Sequence, residues 1–161
     1  MIRTATKDDS VKIAEIYNYY ITNTFITFEK EEIAANEIYT RISDVIGSSL
    51  PWLVLENNGE VIGYAYATKW RARPAYKHSV ETTIYLSQDH GRKGYGKLLY
   101  SKLISELASS GFHTAIGGIA LPNDASVRLH ESLGFKKVAH FQEVGYKFDK
   151  WIDVGFWQIM L

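Results

Sequence analysis

The chain has 161 residues, 46% hydrophobic and 22% charged, a size and balance that suit one compact domain, 1–161, with its own core. Lys plus Arg and Asp plus Glu stand at 18 each, so no net field favours nucleic acid or an anionic membrane surface. With no cysteine, disulfides, thiolate nucleophiles and cysteine-based metal sites are excluded; no apolar run approaches the roughly 20 residues of a membrane span and Met1 opens no signal-peptide pattern, so the expected location is cytoplasmic.

Ile2 to Ala5 reads as a short strand. Thr6-Lys7-Asp8-Asp9 has the form that starts helices, and Val11, Ile13, Ala14, Ile16 and Tyr17 follow at helical spacing, giving a helix over about 8–22. Thr22 to Phe28 reads as a loop or short extended piece. Glu29 to Ile46 carries Ile33, Ala34, Ile38, Ile42, Val45 and Ile46, a second amphipathic helix ended by Gly47-Ser48-Ser49. Trp52–Leu55, Asn57-Asn58-Gly59 and Val61–Ala65 predict a hairpin whose second strand runs to about Trp70. Ser79–Ser87 is a further strand, Gly91–Gly96 a glycine-rich loop, and Tyr95–Ser109 a helix with Leu98, Leu99, Leu103, Ile104 and Leu107 on one face. Thr114–Ala120 (strand), 124–133 (helix capped by Gly134) and an antiparallel pair, Phe135–Lys147 with Asp153–Leu161, complete the chain. The order β-α-α-β-β-β-α-β-α-β-β is a mixed α/β (α+β) sandwich with an antiparallel first half, not a Rossmann series.

Strand, then Gly91-Arg92-Lys93-Gly94-Tyr95-Gly96, then helix, is the arrangement that lets backbone amides and a helix N-terminus approach a pyrophosphate. Arg92, Lys93 and Lys97 add positive charge. By itself this pattern fits a plain glycine turn equally well. About 30 residues on stands Leu121-Pro122-Asn123-Asp124-Ala125-Ser126-Val127-Arg128-Leu129-His130-Glu131-Ser132-Leu133-Gly134-Phe135, in which Asn123 or Asp124 can cap a helix.

Together the two segments resemble motifs A and B of the GNAT superfamily of acetyltransferases, and in element order the resemblance spans nearly the whole chain. It implies a largely antiparallel central sheet flanked by helices, with acetyl-CoA as cosubstrate. The pantetheine arm then lies on Ile84, Tyr85 and Leu86, and the pyrophosphate on the loop Gly91, Arg92, Lys93, Gly94, Tyr95, Gly96, Lys97, with Asn123 nearby. Gly91 replaces the family's usual Gln or Arg; because the contacts are mainly backbone, this alters affinity rather than abolishing binding. More narrowly, Lys69–Tyr76, Val80–Tyr85, Gly145-Tyr146-Lys147 and Trp151–Gln158 resemble the phosphinothricin and methionine sulfoximine N-acetyltransferase group. That likeness implies glutamate-like amino-acid substrates and a homodimer.

Acetylating an amine requires removing its proton and protonating the thiolate that leaves. The resemblance makes Glu81 the base, directly or through water, with a structural Glu paired to an Arg as the alternative. His130 stands where many members carry a thiolate-protonating Tyr, although an isolated helical His is most often structural. Arg71 and Arg73 alternate on a predicted strand end and can grip a carboxylate or phosphinate, with Lys69 and Tyr76 assisting; a solvated basic edge is the bland reading. Phe28 and Glu29 are candidates to close the substrate pocket, and Trp151 and Trp157 are pocket, interface or core. The remaining histidines lack metal-ligand spacing, so no metal is expected. Two rivals remain: a GNAT enzyme acting on a peptide N-terminus or polyamine, and a non-catalytic coenzyme A-binding module.

Overall fold

The computed structural model describes residues 1–91 and 93–161. In chain order it contains β1 (Ile2–Thr4), α1 (Ser10–Asn23), α2 (Ala35–Gly47), β2 (Trp52–Asn57), β3 (Glu60–Lys69), β4 (Ser79–Leu86), α3 (Tyr95–Ser109), β5 (Thr114–Leu121), α4 (Asp124–Ser132), β6 (Lys136–Lys147) and β7 (Lys150–Met160). Short 3-10 turns lie at Lys7–Asp9, Pro74–Tyr76 and Gln88–His90. This is the expected order. The strands form a seven-stranded sheet in the order β1-β2-β3-β4-β5-β7-β6, in which β4 and β5 run parallel and every other neighbouring pair is antiparallel.

Helices cover both faces of the sheet, and the two-residue period of β4 shows how. Tyr85 meets Tyr17 and Tyr20 of α1, with ring centroids 5.2 and 5.0 Å apart. Thr82 and Leu86 lie on the other face, against Tyr100 and Gly96 of α3. Glu81 therefore shares the α1 face with Tyr85. The core is filled by Ile13 and Ile21 of α1, Ile38 and Ile42 of α2, and Leu99, Tyr100, Leu103 and Leu107 of α3, all with almost no exposure.

The Asn-Gly hairpin forms as expected, with Asn58 and Gly59 at φ 52° and 81°, the positive angles that a tight two-residue turn needs. The last hairpin turns through Phe148 and Asp149, at φ 53° and 56°, so β7 begins at Lys150 rather than Asp153. The second helix also differs: it starts at Ala35, not Glu29. The Asn18 side chain accepts from the Ile33 amide (2.8 Å) and donates to its carbonyl (2.9 Å), which holds residue 33 out of a helix. Ala34 is extended and Ile46 exposed. On α3 the buried stripe is Gly96, Leu99, Tyr100, Leu103 and Leu107, and Leu98 faces outward at 56% exposure. Leu99, Leu103 and Leu107 fall on the expected face, Ile104 is half-buried, and Tyr100, which has a buried polar partner, takes the place expected for Leu98.

The chain start is fastened by Asp9. Arg3 donates to both Asp9 oxygens at 2.8 Å, and the Thr6 amide donates to Oδ2 at 2.7 Å. The guanidinium holds the Asp9 carboxyl below its ordinary value, so its contribution to stability is complete above about pH 4 and fades as pH falls through the depressed value. Asp9→Asn should cost about 1–3 kcal/mol in urea unfolding at pH 7. The gap to wild type should narrow as pH falls below the ordinary carboxylate range; a gap that does not change with pH would contradict the pairing.

Candidate active site

β4 and β5 pair through only three positions, Ser79↔Thr114, Val80↔Ala115 and Glu81↔Ile116. Beyond Glu81 they separate, so the facing edges of 82–86 and 117–121 carry backbone groups with no strand partner.

A polar wedge sits where the strands part. Tyr100 places its hydroxyl 2.7 Å from Thr82 Oγ1 and 3.0 Å from His130 Nε2. Thr82 Oγ1 also reaches the Ile116 carbonyl at 3.4 Å, and His130 Nδ1 lies 2.8 Å from the Ser126 carbonyl. That carbonyl can only accept, so the ring proton is on Nδ1 and the Tyr100 hydroxyl donates to Nε2. His130 is 3% exposed; burial pushes its pKa down and keeps it neutral. Its ring lies against Gly117, where a Cβ would overlap Nε2 and stand 2.9 Å from Cδ2. Asn123 caps α4, accepting from the Ser126 amide at 3.2 Å, and so fixes the turn that carries His130.

The resulting cavity measures about 240 Å³. Residues 81–85 line one wall and 118–120 the other, with 26–28, Asn123, Ser126 and His130 completing it. Of the expected site residues, it gathers Glu81, Ile84, Tyr85, Asn123, His130 and Phe28. Glu81 stands at the fork; burial raises its pKa, an effect the Arg71 charge partly offsets.

Arg71, Arg73 and Tyr76 are not in the lining. β3 ends at Lys69, and the exposed segment 71–78 bends into the Pro74–Tyr76 turn, where Pro74 has no amide to continue a strand. The expected strand end is thus a loop. Arg71 stacks on Trp70 at 4.7 Å and is close enough to influence Glu81; Arg73 is the cap of the turn.

Gly91, Lys93, Gly94, Tyr95, Gly96 and Lys97 lie beyond the C-terminal end of β4 and outside the cavity; Arg92 lies outside the described residues. Gly94 has φ 81° as the residue before α3, a conformation that favours glycine. A Cβ on Gly96 would stand 3.4 Å from Leu86 and Leu129, so this first turn packs closely on β4 and α4. Lys93 and Lys97 are exposed, and the first amides of α3 have no intrahelical partner. Leu86 points to Gly96 rather than into the cavity. Trp157 is core, with Nε1 donating to Glu131 at 3.2 Å, and Trp151 is exposed. Among the described residues, no group of three or more His, Asp or Glu is placed to hold a metal ion.

Thr82, Tyr100 and Thr27 escaped the sequence reading. The first reads as an ordinary strand residue, the second as a helix residue outside the apolar face, and the third as loop.

The sequence pattern of the acetyltransferase (GNAT) domain matches residues 2–156. The chain belongs to the GNAT acetyltransferases. It is 41% identical over 157 residues to the phosphinothricin N-acetyltransferase of Streptomyces viridochromogenes, covering 98% of this chain and 85% of that protein. It is 37% identical over 162 residues to the L-methionine sulfoximine/L-methionine sulfone acetyltransferase of Salmonella typhimurium, covering 99% and 94%. A phosphinothricin acetyltransferase from Sinorhizobium meliloti, solved in complex with acetyl-CoA, superposes with a TM-score of 0.96 at 36% identity, covering 100% of this chain and 88% of that one. The split between β4 and β5 is thus part of an acetyltransferase fold.

In this acetyltransferase, Gly117→Ala pushes a methyl group into His130. The expected result is a loss of about 1–3 kcal/mol in urea unfolding, with a fall in activity. Unchanged stability would show that the imidazole is not seated against Gly117.

Proposed function

We propose that this enzyme acetylates the α-amino group of a small glutamate-like amino acid, such as L-phosphinothricin, L-methionine sulfoximine or L-methionine sulfone, by direct attack in a ternary complex. The observation that carries the reading is Glu81, half-buried at the fork where two strand edges open onto a small cavity. The names of the relatives support the acceptor class.

Acetyl-CoA supplies the thioester. Strand edges bind extended polar chains through main-chain hydrogen bonds, and the free edge at Ile84, Tyr85 and Leu86 is the proposed seat of the pantetheine arm. Gly91, Arg92, Lys93, Gly94, Tyr95, Gly96 and Lys97 are the proposed pyrophosphate loop, on the strength of the free amides at the α3 N-terminus. Asn123 holds the α4 turn on the opposite side.

Glu81 takes the ammonium proton, directly or through water. Its raised pKa brings it nearer to a competent base, and it must be ionised to act, so kcat/KM rises with pH through its titration. Arg71, close to Glu81 at the rim, receives the acceptor's carboxylate, with Arg73 and Tyr76 on the same loop assisting. Phe28 lines the acceptor end. His130 is proposed to position rather than to protonate, in place of the acid role expected from its place in motif B. Both its nitrogens are committed and burial keeps it neutral, so the second proton reaches the departing sulfur from water.

The 161 residues are proposed to act as a single catalytic domain in the cytoplasm. A homodimer is proposed as well. Its support is the apolar surface that Phe141, Val144, Phe148 and Trp151 expose around the β6–β7 hairpin.

Free-thiol release from acetyl-CoA, run in parallel with L-phosphinothricin, L-methionine sulfoximine, L-glutamate and an N-terminal peptide, tests the acceptor. Turnover of the first two is expected, with Glu81→Gln lowering kcat/KM at least about 100-fold. Turnover of the peptide alone would overturn the acceptor assignment, and a Glu81→Gln enzyme within a few-fold of wild type would remove the base.

A further inference from the structure

The split sheet has two halves. β1 to β4 with α1 to α3 form one, and β5, β7 and β6 with α4 form the other. Besides the three-position pairing and the wedge, side chains join the halves at the far end of the cavity.

There Lys147, the last residue of β6, is 3% exposed. A buried ammonium is costly, and burial pushes its pKa down. It donates to the Thr27 carbonyl at 2.8 Å, across 120 residues of sequence, and Glu29 supplies the nearby negative charge. Two positions earlier on the strand, Gly145 leaves the space that the Phe28 ring occupies; a Cβ there would overlap the ring. Phe28 is held from both sides. The Tyr17 hydroxyl bonds Thr27 Oγ1 at 2.8 Å and also Glu29, and Arg41 donates twice to Glu29, at 2.8 and 3.1 Å. The Tyr17, Arg41 and Asn18 ties all come from the loop's own half of the molecule. Lys147 and Gly145 come from the other.

We propose that Lys147 and Gly145 are specificity-determining positioning residues: they latch the loop 24–34 across the split and fix Phe28 as the wall that limits the acceptor side chain. The inference rests on the amino-acid acceptor proposed above and deepens it. Phe28 lines the same cavity as Glu81, so a wall fixed there limits the side chain of an acceptor whose amine meets Glu81. The latched site takes unbranched, glutamate-length amino acids. Releasing it should admit longer or aromatic ones.

The test compares wild type, Lys147→Met, Gly145→Ala, Phe28→Ala and the Lys147→Met/Phe28→Ala double variant. L-methionine sulfoximine, L-phenylalanine and L-tryptophan serve as acceptors. Hydrogen exchange of residues 24–34 is followed alongside. Lys147→Met should raise the KM for methionine sulfoximine at least tenfold and shift the kcat/KM ratio towards the aromatic acceptors at least tenfold, with the acetyl-CoA KM within twofold. Exchange should quicken in 24–34 and stay unchanged in α3. Because Lys147 acts through Phe28, the double variant should discriminate like Phe28→Ala alone, within twofold. A shift that adds to that of Phe28→Ala, an equal rise in the acetyl-CoA KM, or unchanged discrimination would overturn the latch. Should Lys147→Met not fold, Gly145→Ala carries the same expectations. A wild type that turns over no amino acid refutes the acceptor reading by itself, and exchange in 24–34 of the variants still decides the latch.

Discussion

Everything at the site depends on one parallel strand pair that stops after three residues. A sheet wants to continue its ladder, and a buried edge without partners is costly, so something must hold β4 and β5 apart. The Thr82–Tyr100–His130 chain does so, with a hydroxyl, a phenol and an imidazole bonded in series and the ring lodged over a residue that has no side chain. Burial favours the uncharged forms of Tyr100 and His130, so the wedge satisfies its polar groups without burying a charge.

The fork then sets the electrostatics. Glu81 occupies the last paired position, and the next residues of its strand have lost their neighbour. It is buried enough for its pKa to rise, yet it opens onto the cavity and stays within reach of the Arg71 charge. The same separation creates two free main-chain edges, leading from Glu81 towards the glycine loop on one side and towards Asn123 on the other. Strand pairing, wedge and latch thus form a series: the pairing fixes where the split starts, the wedge occupies the opening, and Lys147 bonds across from β6 to the loop that carries Phe28.

Much of this was legible in the sequence. The Asn-Gly turn, the positive-φ glycine before α3 and the Asn123 cap are local devices whose residue types dictate their conformations. Glu81, Tyr85, Asn123 and His130 converge because two short motifs are linked by regular elements of fixed length. What failed were the features decided by distant contacts. The Asn18–Ile33 pair suppresses the first turn of the expected second helix, and Phe148 and Asp149 take positive φ without glycine. The apolar pattern placed Leu99, Leu103 and Leu107 rightly but also Leu98, whereas Tyr100, bonded to Thr82, is the residue buried beside them. Arg71 and Arg73 alternate as strand residues would, but the proline that follows bends the segment into a loop. Lys147 carried no signal of burial, because its partner is a main-chain carbonyl 120 residues away.

Whether the edges freed beyond Glu81 bind the cosubstrate is tested most directly by amide hydrogen exchange with and without coenzyme A. Coenzyme A should slow exchange in 83–86 and 93–97 and leave 61–68, already paired on β3, exchanging as before. Protection that spares 83–86 would contradict it, because the split would then serve some purpose other than holding the pantetheine arm.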